Sequence, residues 1–268
     1  MPAAHLGARP AVIQLRGLSF AYRNQPSLFE DYSWQAAQGE SWAVLGPSGC
    51  GKSSLLYLLA GLQLPSAGEV RVGGEALRRP RPRTGLILQD FGLLPWATVR
   101  ANIRLGLRLR GFYGPDGRHA PRDEVIKNID ERVDSWLHRL GLDAVAESYP
   151  GQISGGQRQR TAIARTLALH PDLLLMDEPF ASLDAPTRQD LQDLTMQLRL
   201  ERGLTLVLVT HAIEEAALLG QRVLVLGRPP HREPHVIDNP GGGTPDHRAT
   251  PAYDQACARL RSAMEQVT

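Results

Sequence analysis

The stretch Gly46-Pro-Ser-Gly-Cys-Gly-Lys-Ser53 fills every fixed position of the pattern G-x-x-x-x-G-K-[ST]. The apolar run at residues 42–45 predicts a short buried strand before it, and residues 54–60 predict a helix after it. A strand, a glycine-rich loop and a helix start arrange several backbone N–H groups around a chain of phosphates. A chance glycine-rich turn would not have both flanks, so this stretch predicts a nucleoside triphosphate site in an α/β fold.

Each position of this phosphate loop, residues 46–53, has an expected role. Its glycines Gly46, Gly49 and Gly51 allow a tight backbone path that comes close to the ligand. Lys52 is expected to place its charge on the β- and γ-phosphates, and the Ser53 hydroxyl to bind Mg²⁺. The residues predicted here to contact the nucleotide are Gly46, Pro47, Ser48, Gly49, Cys50, Gly51, Lys52, Ser53 and Ser54.

The composition is that of an ordinary globular protein. The chain has 268 residues, of which 42% are hydrophobic and 22% charged, which suits one large α/β domain or two small lobes. The net charge of +2 argues neither for nor against nucleic acid, and two cysteines, Cys50 and Cys257, make neither a disulfide framework nor a metal cluster. Residues 1–10 have no apolar core typical of a signal peptide, and no window approaches the roughly 20 apolar residues that span a bilayer. We therefore expect a protein of the reducing cytosol that reaches a membrane only through a partner or a surface.

Strands that alternate with helices predict a mostly parallel sheet covered on both faces. The periodicity predicts strands at 12–22, 42–45, 69–72, 85–88, 173–176, 204–209 and 223–226, and helices at 54–60, 123–140, 158–170, 186–201 and from 250 to the end. Asp123 is expected to cap the second of these helices and Gly141 to end it. We predict an α/β core at 10–89 and 158–228, an inserted helical subdomain at 90–157, and a C-terminal tail with a terminal helix at 229–268.

A second group of chemical side chains follows the apolar run at residues 173–176. Asp177 and Glu178 come at the end of this predicted strand, where open α/β sheets bind their ligands. Asp177 is expected to hold Mg²⁺, directly or through water. Glu178 is expected to polarise a water molecule for in-line attack on the γ-phosphate.

A third group, Ser154-Gly-Gly-Gln157, precedes a predicted helix. A serine hydroxyl and exposed N–H groups at a helix N-terminus form a phosphate site. One chain does not need two such sites for one nucleotide. The economical arrangement is two chains facing head to tail, each closing over the other's ATP.

The order of these motifs resembles that of the ABC ATPases, whose signature motif is similar to residues 153–157. Gln89 matches their glutamine loop, residues 149–152 match the run before the signature, and residues 182–184 match the loop after the catalytic acid. His211 matches the switch histidine that contacts the γ-phosphate, and Tyr22 stands where the family places an aromatic ring against adenine. The resemblance covers residues 10–228 and implies ATP with Mg²⁺ as the ligands.

The resemblance also implies a role for each matching residue. The catalytic residues are Glu178, His211 and Gln89; the magnesium ligands are Ser53, Gln89 and Asp177; the contacts to the partner chain's ATP are Ser154, Gly155, Gly156, Gln157 and Asp184. The departures are small. Ile153 replaces the usual leucine and keeps an apolar anchor, Ala212 stands where an acid is common, and residues 111–127 are longer than usual.

One phosphate loop and one signature in a chain without a membrane span resemble the separate nucleotide-binding subunit of a bacterial importer. The run Leu93-Leu-Pro-Trp96 is similar to that of the nitrate, sulfonate and taurine importers, a group that includes pyrimidine-precursor members related to thiamine. The expected partners are integral membrane permease subunits, a second copy of the chain and, indirectly, a solute-binding protein, with no nucleic acid. The expected location is the cytoplasmic side of the membrane, and the solute itself is chosen by other subunits.

Two alternatives and one open choice accompany this interpretation. A soluble ABC ATPase that acts on DNA or the ribosome would usually pair two cassettes or carry a long coiled coil, and neither is visible. A P-loop kinase would leave residues 153–157 unexplained. The apolar side chains of residues 93–96 belong either to a socket for a membrane subunit or to the core of the helical subdomain.

Overall fold

The computed structural model describes residues 11–124 and 127–267. The strands are β1 (Ala11–Ala21), β2 (Ser27–Ala37), β3 (Ser41–Leu45), β4 (Ala67–Val72), β5 (Glu75–Ala76), β6 (Thr84–Ile87), β7 (Leu173–Asp177), β8 (Thr205–Thr210), β9 (Arg222–Val225) and β10 (His235–Asp238). The helices are α1 (Lys52–Ala60), α2 (Val99–Tyr113), α3 (Ile129–Arg139), α4 (Gly155–Leu167), α5 (Ala185–Arg202), α6 (Ile213–Leu219) and α7 (Pro251–Val267). Among the described residues, no helix is both long and apolar enough to span a bilayer.

The site is carried by a six-stranded sheet of order β10-β9-β3-β8-β7-β6. All neighbours pair in parallel except β10, which runs antiparallel to β9. Along β7, Leu173 and Leu175 face one apolar cluster while Leu174 and Met176 face another. Both faces of the strand are thus buried, which is why it reads as a continuous apolar run. The predicted parallel sheet covered on both sides is confirmed.

A second sheet, of order β2-β1-β4-β5, is antiparallel. Its strand β2 was not predicted, because the alternation of buried side chains is interrupted between Phe29 and Tyr32. Asp31 lies there with a positive φ of 48°. Such a backbone conformation and the accompanying shift in register interrupt a period of two. This sheet, α1 and one face of the parallel sheet enclose a common apolar cluster, in which Trp34 and Trp42 meet edge to face.

The helical segment differs in part from its prediction. Helix α2 was not predicted, although Val99, Ile103 and Leu107 bury one helical face at a spacing of four. The predicted helix at 123–140 begins only at Ile129, so the expected cap was wrong. Asp123 instead pairs with Arg83, whose Nη2 lies 2.5 Å from its carboxylate oxygen. The Asp123 carboxylate is thus bound to a distant loop, and the residue before α3 is Asn128.

The C-terminal tail joins the α/β core. Strand β10 extends the parallel sheet at its edge, and the expected terminal helix is confirmed as α7. The apolar side of α7, which includes Cys257 and Leu260, packs against Ala216 and Ala217 of α6, a helix that our sequence analysis missed because it has only seven residues. The tail therefore covers part of the sheet that carries the phosphate loop.

Candidate functional site

Four parallel strands end at one edge of the sheet, and each is followed by a predicted site residue. The phosphate loop follows β3, Gln89 follows β6, Glu178 follows β7 and His211 follows β8. Because β3, β8, β7 and β6 are neighbours, their carboxyl ends lie side by side. This edge is where ligands of open α/β sheets bind.

The phosphate loop has the shape of a phosphate cradle. Gly49 and Gly51 have positive φ values of 82° and 103°, which few other residues adopt without strain. The Lys52 side chain is only 6% exposed, and its Nζ donates to the carbonyl oxygens of Gly46 and Pro47 at 2.8 and 2.9 Å. The ammonium group is therefore held across the loop, and a Cβ at Gly49 would meet open space rather than protein.

Two oxygen ligands suited to Mg²⁺ meet at the start of α1. Ser53 Oγ donates to Asp177 Oδ1 at 3.1 Å. Ligands about 2.1 Å from an octahedral Mg²⁺ and at right angles to each other lie about 3.0 Å apart, so this pair fits the ion. Asp177 is 5% exposed, and its burial raises the pKa of its carboxyl above the usual value. A bound cation would stabilise the charged form that the site needs.

Glu178 and His211 form the candidate catalytic pair. His211 Nδ1 lies 3.0 Å from Glu178 Oε2, and because the carboxylate can only accept, the imidazole donates from Nδ1. The Glu178 backbone has a positive φ of 43°, and its N–H donates to the Val209 carbonyl at 3.0 Å. A non-glycine residue in this conformation costs about 1–3 kcal/mol, and such strain concentrates at active sites. The loops after β7 and β8 are thus held together where the pair meets.

The loop that contains His211 is fixed by Glu215, a residue that was not predicted from the sequence. Glu215 is buried, and its Oε2 accepts from Thr210 Oγ1 at 2.7 Å. The same hydroxyl accepts from the Ala212 N–H at 3.0 Å, so both neighbours of His211 are fixed. Burial raises the pKa of the Glu215 carboxyl. A single glutamate within a short helix gives no sequence signal for this role.

Tyr22 and Gln89 lie at the margins of the site. The Tyr22 hydroxyl is 3.2 Å from Ser54 Oγ on α1, and the ring meets Phe20 edge to face. The structure therefore places Tyr22 beside the helix that follows the phosphate loop, where a ring could lie against a base. Gln89 is exposed at the end of β6.

The residues expected to contact a partner's ATP share one surface. Ser154 caps α4: its Oγ accepts from the Gln157 N–H at 3.2 Å, while Gln157 Oε1 accepts from the Ser154 N–H at 2.9 Å. Asp184 caps the neighbouring helix α5 by accepting from the Thr187 N–H at 3.1 Å. A Cβ on Gly156 would lie 2.5 Å from Thr187 Cγ2, so the two helix starts touch. The signature and the loop that contains Asp184 are therefore one structural unit.

Gly156→Ala is expected to lower the free energy of unfolding by about 1–3 kcal/mol, because the new methyl group has no room beside the branched Thr187 side chain. Chemical denaturation of the purified chain measures this. Gly151→Ala is the matched control, since a Cβ there meets nothing within 4 Å. Adding Thr187→Ser, which removes the clashing methyl, should restore stability to Gly156→Ala. Full stability of Gly156→Ala alone would show that the contact is not tight.

Comparisons with known proteins agree with the geometry. A family model described as ABC transporter matches residues 29–181. A taurine import ATP-binding protein of Pseudomonas aeruginosa is 44% identical over 216 residues, which cover 80% of this chain and 78% of that protein. An aliphatic sulfonates import ATP-binding protein of Bacillus cereus is 36% identical over 230 residues, covering 85% of this chain and 86% of that protein.

Solved structures show the same architecture. A metal-chelate type ABC transporter in an inward-facing conformation superposes with a TM-score of 0.69 at 26% identity, over 86% of this chain and 84% of that chain. An ATP-binding cassette, solved as a dimer in a post-hydrolysis state with ADP and Pi, gives a TM-score of 0.70 at 28% identity, over 84% of this chain and 98% of that chain. The similarity thus spans nearly the whole of a cassette that binds nucleotide.

Proposed function

This chain belongs to the ABC transporter family, and from that membership we propose that it hydrolyses ATP to drive import of a small organosulfonate, such as taurine, through separate membrane subunits. The ATPase activity follows from the family, and the observation that carries its chemistry is the 3.0 Å contact between Glu178 and His211. The organosulfonate class rests on the two import proteins described above. Those relatives give no support to the alternative of a soluble ABC ATPase that acts on DNA or the ribosome.

We propose that ATP binds with its phosphates in the loop at residues 46–53. The Lys52 ammonium group, already desolvated against two carbonyls, would compensate the charge of the β- and γ-phosphates. Ser53 and Asp177 would hold Mg²⁺, with Gln89 as a further ligand at the end of β6. The ion, when bound, neutralises charge that develops on the phosphate oxygens. Tyr22 would stack on the adenine.

Glu178 would act as the general base. Its carboxylate accepts a proton from water as the water oxygen forms a bond to the γ-phosphorus. The bond from that phosphorus to the β-γ bridging oxygen breaks, and ADP and Pi result. His211 donates to Glu178 through Nδ1, which orients the carboxylate and leaves Nε2 for the γ-phosphate side of the ring. The carboxylate is partly covered, since 18% of the side chain is exposed.

We propose a head-to-tail homodimer in which the Ser154–Gln157 helix start of one chain covers the other chain's ATP. The support is the pre-formed helix cap at Ser154 and the close approach of Gly156, in the same helix start, to Thr187 of the helix that Asp184 caps. Each chain would consist of a nucleotide-binding core at 10–89 and 158–228, a helical subdomain at 90–157 and a C-terminal tail at 229–268. The dimer would lie on the cytoplasmic face of a membrane, with a solute-binding protein reached through the permease.

The surface that meets the permease would include Trp96. Its side chain is 74% exposed, so the alternative that Trp96 is core of the helical subdomain is wrong. Leu93 is partly buried against the apolar cluster of that subdomain, and the Leu94 N–H donates to Asn102 Oδ1 at 2.8 Å. The turn is therefore held by contacts with the helical subdomain, while the Trp96 indole is exposed to solvent. A large exposed aromatic side chain on a fixed turn is typical of a protein contact.

Trp96→Ala is expected to abolish co-purification with the permease and solute uptake, with no change in ATP affinity. Because the indole is exposed, the free energy of unfolding should change by less than about 0.5 kcal/mol. Phe112→Ala, which removes an aromatic ring that is 82% exposed near the C-terminal end of α2, is the matched control and should assemble normally. Normal uptake by Trp96→Ala would exclude this surface.

The solute class is tested with the assembled transporter. ATP hydrolysis and uptake should respond to taurine or alkanesulfonates in the presence of the solute-binding protein. A response to nitrate or a pyrimidine instead would keep the importer assignment and overturn the organosulfonate class.

A further inference from the structure

A short segment of the C-terminal tail is fastened to the start of β2. The His231 N–H donates to the Leu28 carbonyl and the Glu30 N–H donates to the His231 carbonyl, both at 2.9 Å. Next to it, Arg232 pairs with the Glu30 carboxylate at 2.7 Å. The backbone of His231 is therefore fixed relative to the antiparallel sheet, which limits the positions that its side chain can take.

The imidazole of His231 reaches the phosphate loop. Its Nε2 lies 2.8 Å from the carbonyl oxygen of Cys50, and the ring packs on Phe29 with a centroid separation of 5.3 Å. The residue is 8% exposed. A carbonyl oxygen can only accept, so Nε2 carries a hydrogen. Burial lowers the pKa of His231 below its usual value, which favours the neutral ring with its single hydrogen on Nε2.

The bonded carbonyl belongs to a peptide unit that faces the ligand. In a planar trans peptide the C=O and the following N–H point in opposite directions, so a partner on the Cys50 carbonyl fixes the direction of the Gly51 N–H. Gly51 has a φ of 103°, and its outer side lies against Leu28 and Phe29, 3.7 Å from where a Cβ would be. With His231 outside the loop, the Gly51 N–H is turned away from it, towards the side that holds phosphate.

We infer that His231 is a positioning residue for ATP binding: it holds the Cys50–Gly51 peptide of the phosphate loop in the orientation that binds phosphate. Gly51 leaves this peptide freer to rotate than any other residue would, so an external partner is needed to select one orientation. The Cys50 carbonyl would otherwise be able to turn inwards and repel the phosphates. This inference rests on the proposed binding of ATP at residues 46–53.

The test compares ATP affinity among variants of the full-length chain. His231→Leu removes the donor and should raise the dissociation constant for ATP about tenfold, or about 1.4 kcal/mol. His231→Gln places an amide N–H at the same number of bonds from Cα as Nε2 and should stay within about threefold of the parent. His231→Asn is polar but one bond shorter, so it should behave like His231→Leu. Arg232→Ala removes only an exposed ion pair and keeps both backbone hydrogen bonds of His231, so it should leave the affinity unchanged.

Titration with ATP is performed in the Glu178→Gln background, so that hydrolysis does not interfere, and thermal unfolding of each apo variant is recorded in parallel. Loss of affinity in the leucine and asparagine variants, with rescue by glutamine, supports the inference even if all three unfold at lower temperature. Unchanged affinity in His231→Leu, or an equal loss in all variants including Arg232→Ala, overturns it. Failure of the chain that retains His231 to bind ATP would instead overturn the proposed function.

Discussion

Glu178→Gln is expected to reduce ATP hydrolysis by roughly 10²–10⁴-fold while ATP binding survives, because the amide cannot take the proton of the attacking water. The substitution keeps the shape of the side chain. In the parent chain His211 Nδ1 lies 3.0 Å from Glu178 Oε2, and the amide oxygen of the glutamine can accept the same hydrogen bond. The backbone at this position, which has a φ of 43° in the parent chain, should keep its conformation because the two side chains have the same shape. Release of Pi measures the rate, and a nucleotide titration measures binding.

Lys52→Ala separates the two effects. It removes the ammonium group that lies on the carbonyls of Gly46 and Pro47, so nucleotide binding itself should weaken. In Glu178→Gln, by contrast, ATP should accumulate on the chain and remain unhydrolysed. Hydrolysis by Glu178→Gln at nearly the parent rate would show that another group is the base.

The candidate site can be located in the sequence because its parts are local. A phosphate loop requires a strand before it and a helix after it, and both are found, as β3 and α1. Asp177, Glu178 and His211 lie where predicted strands end, so the parallel order of β3, β8 and β7 is enough to bring them to one edge. What remained to be found was their pairing, since no local pattern states that His211 Nδ1 contacts Glu178.

What the sequence does not predict depends on distant or irregular contacts. His231 and Cys50 are 181 positions apart and meet through a backbone carbonyl, which any residue could supply. The ion pair of Asp123 with Arg83 likewise overrode a local helix-cap signal. Strand β2 was not predicted because Asp31 interrupts its alternation of buried and exposed side chains. In the first two cases the deciding partner is distant in sequence, so propensity and period carry no trace of it.

Mixing two inactive variants is expected to restore activity if the site is shared between chains. Lys52→Ala cannot bind ATP well at its own phosphate loop, and Ser154→Arg blocks the helix start that would cover the partner's ATP. Each should lose most ATPase activity alone. In a mixed dimer one site combines the intact Lys52 of one chain with the intact Ser154 of the other, while the second site contains both changes. If pairing is random, half of the dimers are mixed and about a quarter of the sites are complete.

The geometry explains why Ser154 can be changed without disturbing its own chain's phosphate loop. Ser154 caps α4, and that helix start contacts Thr187 of α5, whereas the loop lies after β3 in the parallel sheet. Ser154→Ala keeps the surface open and serves as a milder control, which should lose only the cap and the hydroxyl. ATP should also drive the Glu178→Gln chain towards dimers, as light scattering can measure. A monomer at saturating ATP, together with full activity of Ser154→Arg alone, would refute the shared site, because each chain would then complete its own catalytic centre.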